Sequence, residues 1–220
     1  EDYTNALKDY DKAIDLAPEN PLYYNNRGDY YADQEKDDLA LEDYATAFKI
    51  STDDYATSRA LNNRALIYEK QGKLELCVQE YTKAIEVYPD KPLYYSNRAI
   101  TYRNLLQYKK AIADFTSAIE LDKDNPTRYS WRGDCYVLME DYTNALKDYD
   151  KAIDLDSDEP MWYTYRSSVY KYMKEKEKQL DDINTALDLD KEYSYGYTLR
   201  GDFYLKEKDY DSAITDYLQA

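Results

Sequence analysis

Residues 126–159 read PTRYSWRGDCYVLMEDYTNALKDYDKAIDLDSDE, a 34-residue unit that recurs along the whole chain. Its second half, residues 140–155 (EDYTNALKDYDKAIDL), appears letter for letter as residues 1–16. Self-similarity at a fixed period of this length is the mark of a stacked array, in which each unit buries its apolar face on its neighbours. With Pro126 as position one, full repeats begin at Pro21, Ser58, Pro92, Pro126 and Pro160, and a truncated one begins at Ser194. The chain therefore reads as a single array over 1–220: a half repeat at 1–20, full repeats at 21–57, 58–91, 92–125, 126–159 and 160–193, and a truncated repeat at 194–220. The register slips once, by three residues, within residues 51–57 (STDDYAT).

Each unit predicts two helices. Asn125 is a good N-cap, and Pro126 stands at the first helical position, where its missing N–H costs nothing. Tyr129, Gly133 and Tyr136 recur at helical spacing in the first helix. Tyr142, Ala145, Leu146, Tyr149, Ala152 and Ile153 do so in the second. Position eight is small in every copy (Gly28, Ala65, Ala99, Gly133, Ser167, Gly201), and position twenty-seven is alanine from Ala13 to Ala220. Helices approach closely only where side chains are small, so these positions mark the crossings. Position eleven holds the large spacers Tyr31, Tyr68, Tyr102, Tyr136, Tyr170 and Tyr204.

Composition narrows the partners. Lys+Arg 29 against Asp+Glu 45 leaves a net charge of −16, which repels a phosphate backbone and disfavours nucleic acid or an anionic membrane surface. The 29 tyrosines supply much of the burial, each with an apolar ring and a polar tip. No apolar run approaches the roughly eighteen residues of a membrane span. The chain opens in mid-repeat without methionine and so reads as a fragment, with any targeting segment outside it. Cys77 and Cys135 lie two repeats apart in the register and read as buried small residues rather than a disulfide. Histidine is absent, which removes the commonest general base and metal ligand. Asp154, Asp156 and Asp158 alternate as in a calcium loop, but Glu159 stands where that loop needs glycine. The composition points away from an enzyme and from any cofactor or metal.

The constellation of tyrosine at positions four and eleven, a small residue at eight, alanine at twenty and twenty-seven and an aromatic at twenty-four, on a 34-residue period, resembles the tetratricopeptide repeat. The match covers essentially the whole chain. It implies an all-α fold, a right-handed superhelical solenoid of antiparallel helix pairs whose first helices line a concave groove. It also implies a module that binds a protein or peptide segment in that groove. Departures are local: Leu61 replaces tyrosine at position four, and the fifth full repeat carries Lys176, Gln179 and Ile183 at three core positions. Its second helix is expected to pack least well.

Two recurring polar positions carry the functional expectations. Arginine fills position seven as Arg27, Arg64, Arg98, Arg132, Arg166 and Arg200, and position twenty-three is acidic as Asp43, Glu80, Asp114, Asp148, Asp182 and Asp216. An antiparallel pair sets the two at one height, predicting a ladder of ion pairs, because a partly buried arginine is usually paired. The other reading is an arginine row that grips an anionic ligand, and it requires free guanidiniums. Asparagine at position six, Asn26, Asn63 and Asn97, with Asn62 beside it, falls on the first helix away from the crossings. Carboxamides spaced one per repeat can donate to and accept from an extended peptide backbone, similar to asparagine ladders in some tetratricopeptide proteins. A solvated polar face is the plainer reading.

Farther along, position six becomes Trp131, Tyr165 and Leu199, with Tyr172 nearby. This predicts either an anchor pocket for an apolar side chain, centred on Trp131 and Tyr165, or simple packing between repeats. Arg59 and Arg103 are the main cations expected in the groove. The basic clamp of the family's chaperone-tail binders needs a leading lysine at position five, and no repeat here has one. A partner with basic residues suits the acidic rim. Two further classes are a spacer or self-assembling scaffold acting through its ends and convex face, and the docking arm of a larger enzyme. Exposed apolar faces at both ends of such an array predict end-to-end or swapped self-association.

Overall fold

The computed structural model describes residues 3–220; Glu1 and Asp2, which open the leading half repeat, lie outside the described residues. Among the described residues all regular structure is helical, in thirteen α-helices. They fall into two compact units, Glu1–Leu121 and Asp122–Ala220. The first holds α1 (Tyr3–Leu16), α2 (Pro21–Asp33), α3 (Asp37–Ile50), α4 (Asp54–Lys70), α5 (Leu74–Val87), α6 (Pro92–Asn104) and α7 (Tyr108–Leu121). The second holds α8 (Pro126–Leu138), α9 (Tyr142–Leu155), α10 (Pro160–Met173), α11 (Lys176–Leu189), α12 (Ser194–Lys206) and α13 (Tyr210–Tyr217). Neighbours pair as α2 with α3, α4 with α5 and α6 with α7 in the first unit, and α8 with α9, α10 with α11 and α12 with α13 in the second. No described helix is long and apolar enough to cross a membrane.

Local chemistry sets the helix ends. Proline opens α2, α6, α8 and α10, and the Asn125 side chain accepts from the Arg128 amide at 3.3 Å. The register slip has a structural outcome: α4 runs for 17 residues where α2 and α6 run for 13. Without a proline at Ser58, the helix extends back to Asp54, and Asp53 caps it by accepting from the Ala56 amide at 2.7 Å.

Small residues sit at the crossings. Ala47, Ala84, Ala118, Ala152 and Ala186 at position twenty-seven and Ala40, Cys77, Ala111 and Ala145 at position twenty are all fully buried. The large core side chains beside them are the position-twenty-four residues Tyr44, Tyr81, Phe115, Tyr149 and Ile183. Cys135 is buried as well, and burial lifts the Cys77 thiol to about 11, which keeps it protonated at neutral pH.

Between the two helices of each repeat the chain turns through a left-handed residue at position fifteen. Glu35, Gly72, Leu106, Glu140, Lys174 and Lys208 all have φ between 57° and 71°. Only Gly72 takes this conformation without a Cβ penalty; for an ordinary L-residue it costs roughly 1–2 kcal/mol. Leu106 is also 71% exposed, so its side chain returns little by packing. Leu106→Gly is therefore expected to stabilise the first unit by about 1 kcal/mol, read as a higher urea midpoint. A lower midpoint would show that the leucine packs usefully at this turn.

Candidate functional site

Ion pairs stitch every helix pair. Arg27 donates from Nε to Asp43 at 2.8 Å and from Nη2 at 2.7 Å, a bidentate fork. Arg98 with Asp114, Arg132 with Asp148, Arg166 with Asp182 and Arg200 with Asp216 repeat that fork at 2.7–2.9 Å. Arg64 meets Glu80 by a single 3.3 Å approach. The carboxylates are buried, between 4% and 7% exposed. Burial lifts the Asp148 and Asp182 carboxyls above the usual range, against the downward pull of Arg132 and Arg166. Tyrosines at positions four and eleven cover the guanidiniums: Arg27 lies 5.9 Å from the centroids of Tyr24 and Tyr31, and Arg200 5.4 Å from Tyr197.

The same arginines also reach back one repeat, a contact the sequence reading missed. Nη1 donates to Asp11 from Arg27, to Thr82 from Arg98, to Asp150 from Arg166 and to Asn184 from Arg200, at 2.7–3.0 Å. All four acceptors stand at position twenty-five. They are two aspartates, a threonine and an asparagine, alike across the set only in carrying an acceptor oxygen, which is why residue matching passes over them. In the first full repeat that position is Ala45, and it is Arg64, one repeat on, that makes the long single contact.

On the first-helix wall of the first unit, α2, α4 and α6 are tied by a polar network. Asp29 is its hub. It accepts from Tyr44 Oη at 2.8 Å, from Asn63 Nδ2 at 2.6 Å and from the Arg59 guanidinium, which also donates to Asn26 Oδ1 at 3.0 Å. Asn62 is buried and donates to Asn63 Oδ1 at 2.9 Å, while Asn97 donates to Asn62 at 3.3 Å. Asn26, Asn63 and Asn97 are half-buried at the surface of this wall, and Asn62 backs it. Arg59 lies in the network as a bridge, and Arg103 is half-buried on α6. Beside Asp29 the wall opens into a cleft of about 200 Å³, lined by Asp29, Asp33, Asn63, Leu66 and Ile67.

A glycine lets the hub form. A Cβ on Gly28 would stand 2.6 Å from the Tyr44 ring, so the ring lies over bare backbone and its hydroxyl reaches Asp29. The arrangement recurs as Gly133, Asp134 and Tyr149, with an Oη–Oδ1 distance of 2.7 Å, and as Gly201, Asp202 and Tyr217, at 2.9 Å. Where position nine is Leu66 instead, the Tyr81 hydroxyl is buried without a hydrogen-bond partner.

In the second unit, Tyr165 packs on the core, 6.0 Å from Tyr149 and 6.2 Å from Trp162 between ring centroids. Trp131 is half-buried on α8. Tyr172, 57% exposed, stacks on Tyr142 at 5.5 Å. Tyr165 is thus drawn into packing between helices, while Trp131 and Tyr172 keep surface.

Tetratricopeptide repeat models match residues 1–56, 58–91, 92–125, 127–159 and 195–220. Small glutamine-rich tetratricopeptide repeat-containing protein 2 of Mycosarcoma maydis is 32% identical over 88 residues, 40% of this chain and 24% of its own length. Serine/threonine-protein phosphatase 5 of Rattus norvegicus is 35% identical over 92 residues, 40% of this chain and 17% of its own length. The chain thus spans a quarter or less of these relatives. Among solved structures, the C-terminal part of a TPR repeat-containing protein from Cytophaga hutchinsonii matches with a TM-score of 0.81 at 18% identity, over 99% of this chain and 89% of that one. YrrB, described as a TPR protein with an unusual peptide-binding site, matches at 0.71 and 18%, over 87% of this chain and 97% of its own. At that identity the likeness is one of fold.

Proposed function

The chain belongs to the tetratricopeptide repeat family, and from that premise we propose that it is a protein-interaction scaffold whose first-helix wall in the first unit binds an extended peptide segment. The observation that carries this reading is the polar network across α2, α4 and α6, which holds Asn26, Asn63 and Asn97 in fixed orientations at a half-exposed surface. Pre-oriented carboxamides lose little freedom on pairing with a peptide backbone, which is where affinity is otherwise spent.

The cleft beside Asp29 supplies side-chain selectivity. Leu66 and Ile67 offer apolar surface to an aliphatic stem, and the carboxylates of Asp29 and Asp33 face a cationic head. Arg59 already compensates Asp29, so Asp33 is the carboxylate left for the ligand. A lysine- or arginine-bearing segment is the partner this cleft favours. Asp33 is exposed, so Asp33→Asn is expected to weaken a lysine-bearing peptide by about 0.2–1 kcal/mol, up to roughly fivefold, with little change for the same peptide carrying norleucine. Calorimetric titration reads both, and equal losses for the two peptides would remove the cleft from the reading.

In the second unit, Trp131 is the candidate apolar anchor, with Tyr172 exposed on α10.

A further inference from the structure

The helix α11 breaks the repeat's pattern at three core positions, with Lys176, Gln179 and Ile183 where other repeats carry mostly an aromatic, a small residue and an aromatic. A cavity of about 280 Å³ opens at two of them, Lys176 and Gln179. Local rules are broken where function requires it more often than elsewhere. The cavity lies wholly within the second unit, and its lining is unlike the rest of this acidic chain. Lys171, Lys176 and Lys206 converge on it, with Phe203 and Leu205 as apolar wall. Of the two acidic residues of the lining, Glu207 pairs with Lys176 at 2.6 Å, while Asp202 accepts from the neutral Tyr217 hydroxyl at 2.9 Å and keeps its charge. Among the described residues Lys171 and Lys206 have no carboxylate partner, and both are exposed.

We propose that this pocket binds an acidic side chain, flanked by an apolar one, on a segment of a partner protein. Lys171 and Lys206 receive the carboxylate, and Phe203 covers the apolar neighbour. The chain's net charge of −16 does not forbid it. Exposed charges farther off than the Debye length, about 8 Å at physiological salt, are largely screened, so the local balance of Lys171, Lys176 and Lys206 against Asp202 and Glu207, which is net positive, sets the field inside the pocket.

The test is nuclear magnetic resonance of the ¹⁵N-labelled chain titrated with acetyl-Glu-Leu-Glu-Phe-amide. Saturable shifts are expected at the amides of Lys171, Gln179, Phe203 and Lys206. The Gln-for-Glu peptide is expected to bind at least tenfold more weakly. Lys171→Gln/Lys206→Gln, two exposed positions that leave the fold intact, should weaken the acidic peptide at least fivefold. Lys176→Tyr, which fills the cavity with the ring that other repeats carry, should abolish binding while circular dichroism stays helical. Absence of saturation at millimolar peptide, or equal binding by the Gln peptide, would overturn the proposal. So would equal binding by a peptide whose only carboxylate is its free C-terminus.

Discussion

Arg132→Ala is expected to destabilise the second unit by about 3–5 kcal/mol at pH 7. The guanidinium holds both oxygens of Asp148 at 2.7–2.8 Å, and Asp148 is 4% exposed. Removing the arginine leaves a carboxylate in a site that already disfavours its charge, and burial then acts without opposition. The pH dependence follows in sign. With its folded pKa raised above the unfolded value, Asp148 takes up a proton more readily when folded. The penalty in the variant is therefore full above the folded pKa and relieved as pH falls through it toward the unfolded value. Urea titrations at pH 7 and pH 5 should show a smaller loss at the lower pH. Replacing both partners with apolar residues of similar volume should cost far less than the single change, because no charge is then stranded. A loss under about 1 kcal/mol for Arg132→Ala would mean that the pair behaves as a solvated surface bridge.

Gly28→Ala is expected to cost about 1–3 kcal/mol, although glycine to alanine within a helix ordinarily gains roughly 0.5–1 kcal/mol. The added Cβ would lie 2.6 Å from Cε1 of Tyr44, whose hydroxyl is fixed by Asp29 at 2.8 Å, so the ring cannot withdraw without giving up that bond. At Gly133 the nearest Tyr149 atom would be 3.1 Å away, and Gly133→Ala should be the milder of the two. The chain contains its own remedy. In the third full repeat Ala99 stands with Phe115, and position nine is Ile100. Tyr44→Phe in the Gly28→Ala background should therefore recover part of the loss, because a phenylalanine ring is free to shift. Denaturation midpoints of the two single variants and the double variant decide the matter. A neutral Gly28→Ala would show that the ring gives way at no cost.

The period, the helix pairs and the alanine crossings were legible because they rest on residue identity repeated at fixed spacing, which packing enforces. Pro126 at the start of α8 and Ala152 at 0% exposure are the plain cases. The extra turn of α4 was not legible, because aligning repeats puts a boundary at Ser58 while Asp53 caps the helix five residues earlier. The left-handed turn at position fifteen was hidden for a different reason: of its six residues only Gly72 carries the signature. Position twenty-five was hidden because its residue type varies among aspartate (Asp11, Asp150), threonine (Thr82) and asparagine (Asn184), and only the acceptor oxygen is common to all. On the wall, sequence grouped Asn62 with Asn63, but successive helical residues diverge by about 100°, and Asn62 turns inward while Asn63 keeps surface. The Asp29 hub went unread because it joins positions six, nine and twenty-four with Arg59 from the next repeat, a combination that the wall as a whole does not repeat.

Peptide binding by the asparagine wall of α2, α4 and α6 underlies the proposed function. It is tested most directly by selecting a random-peptide display library on the wild-type chain and on Asn26→Ala/Asn63→Ala/Asn97→Ala, with circular dichroism confirming that both are helical. A family of related, lysine- or arginine-bearing peptides should be enriched on the wild type and lost on the triple variant. No enrichment on the folded wild type, or the same peptides retained by the variant, would contradict it.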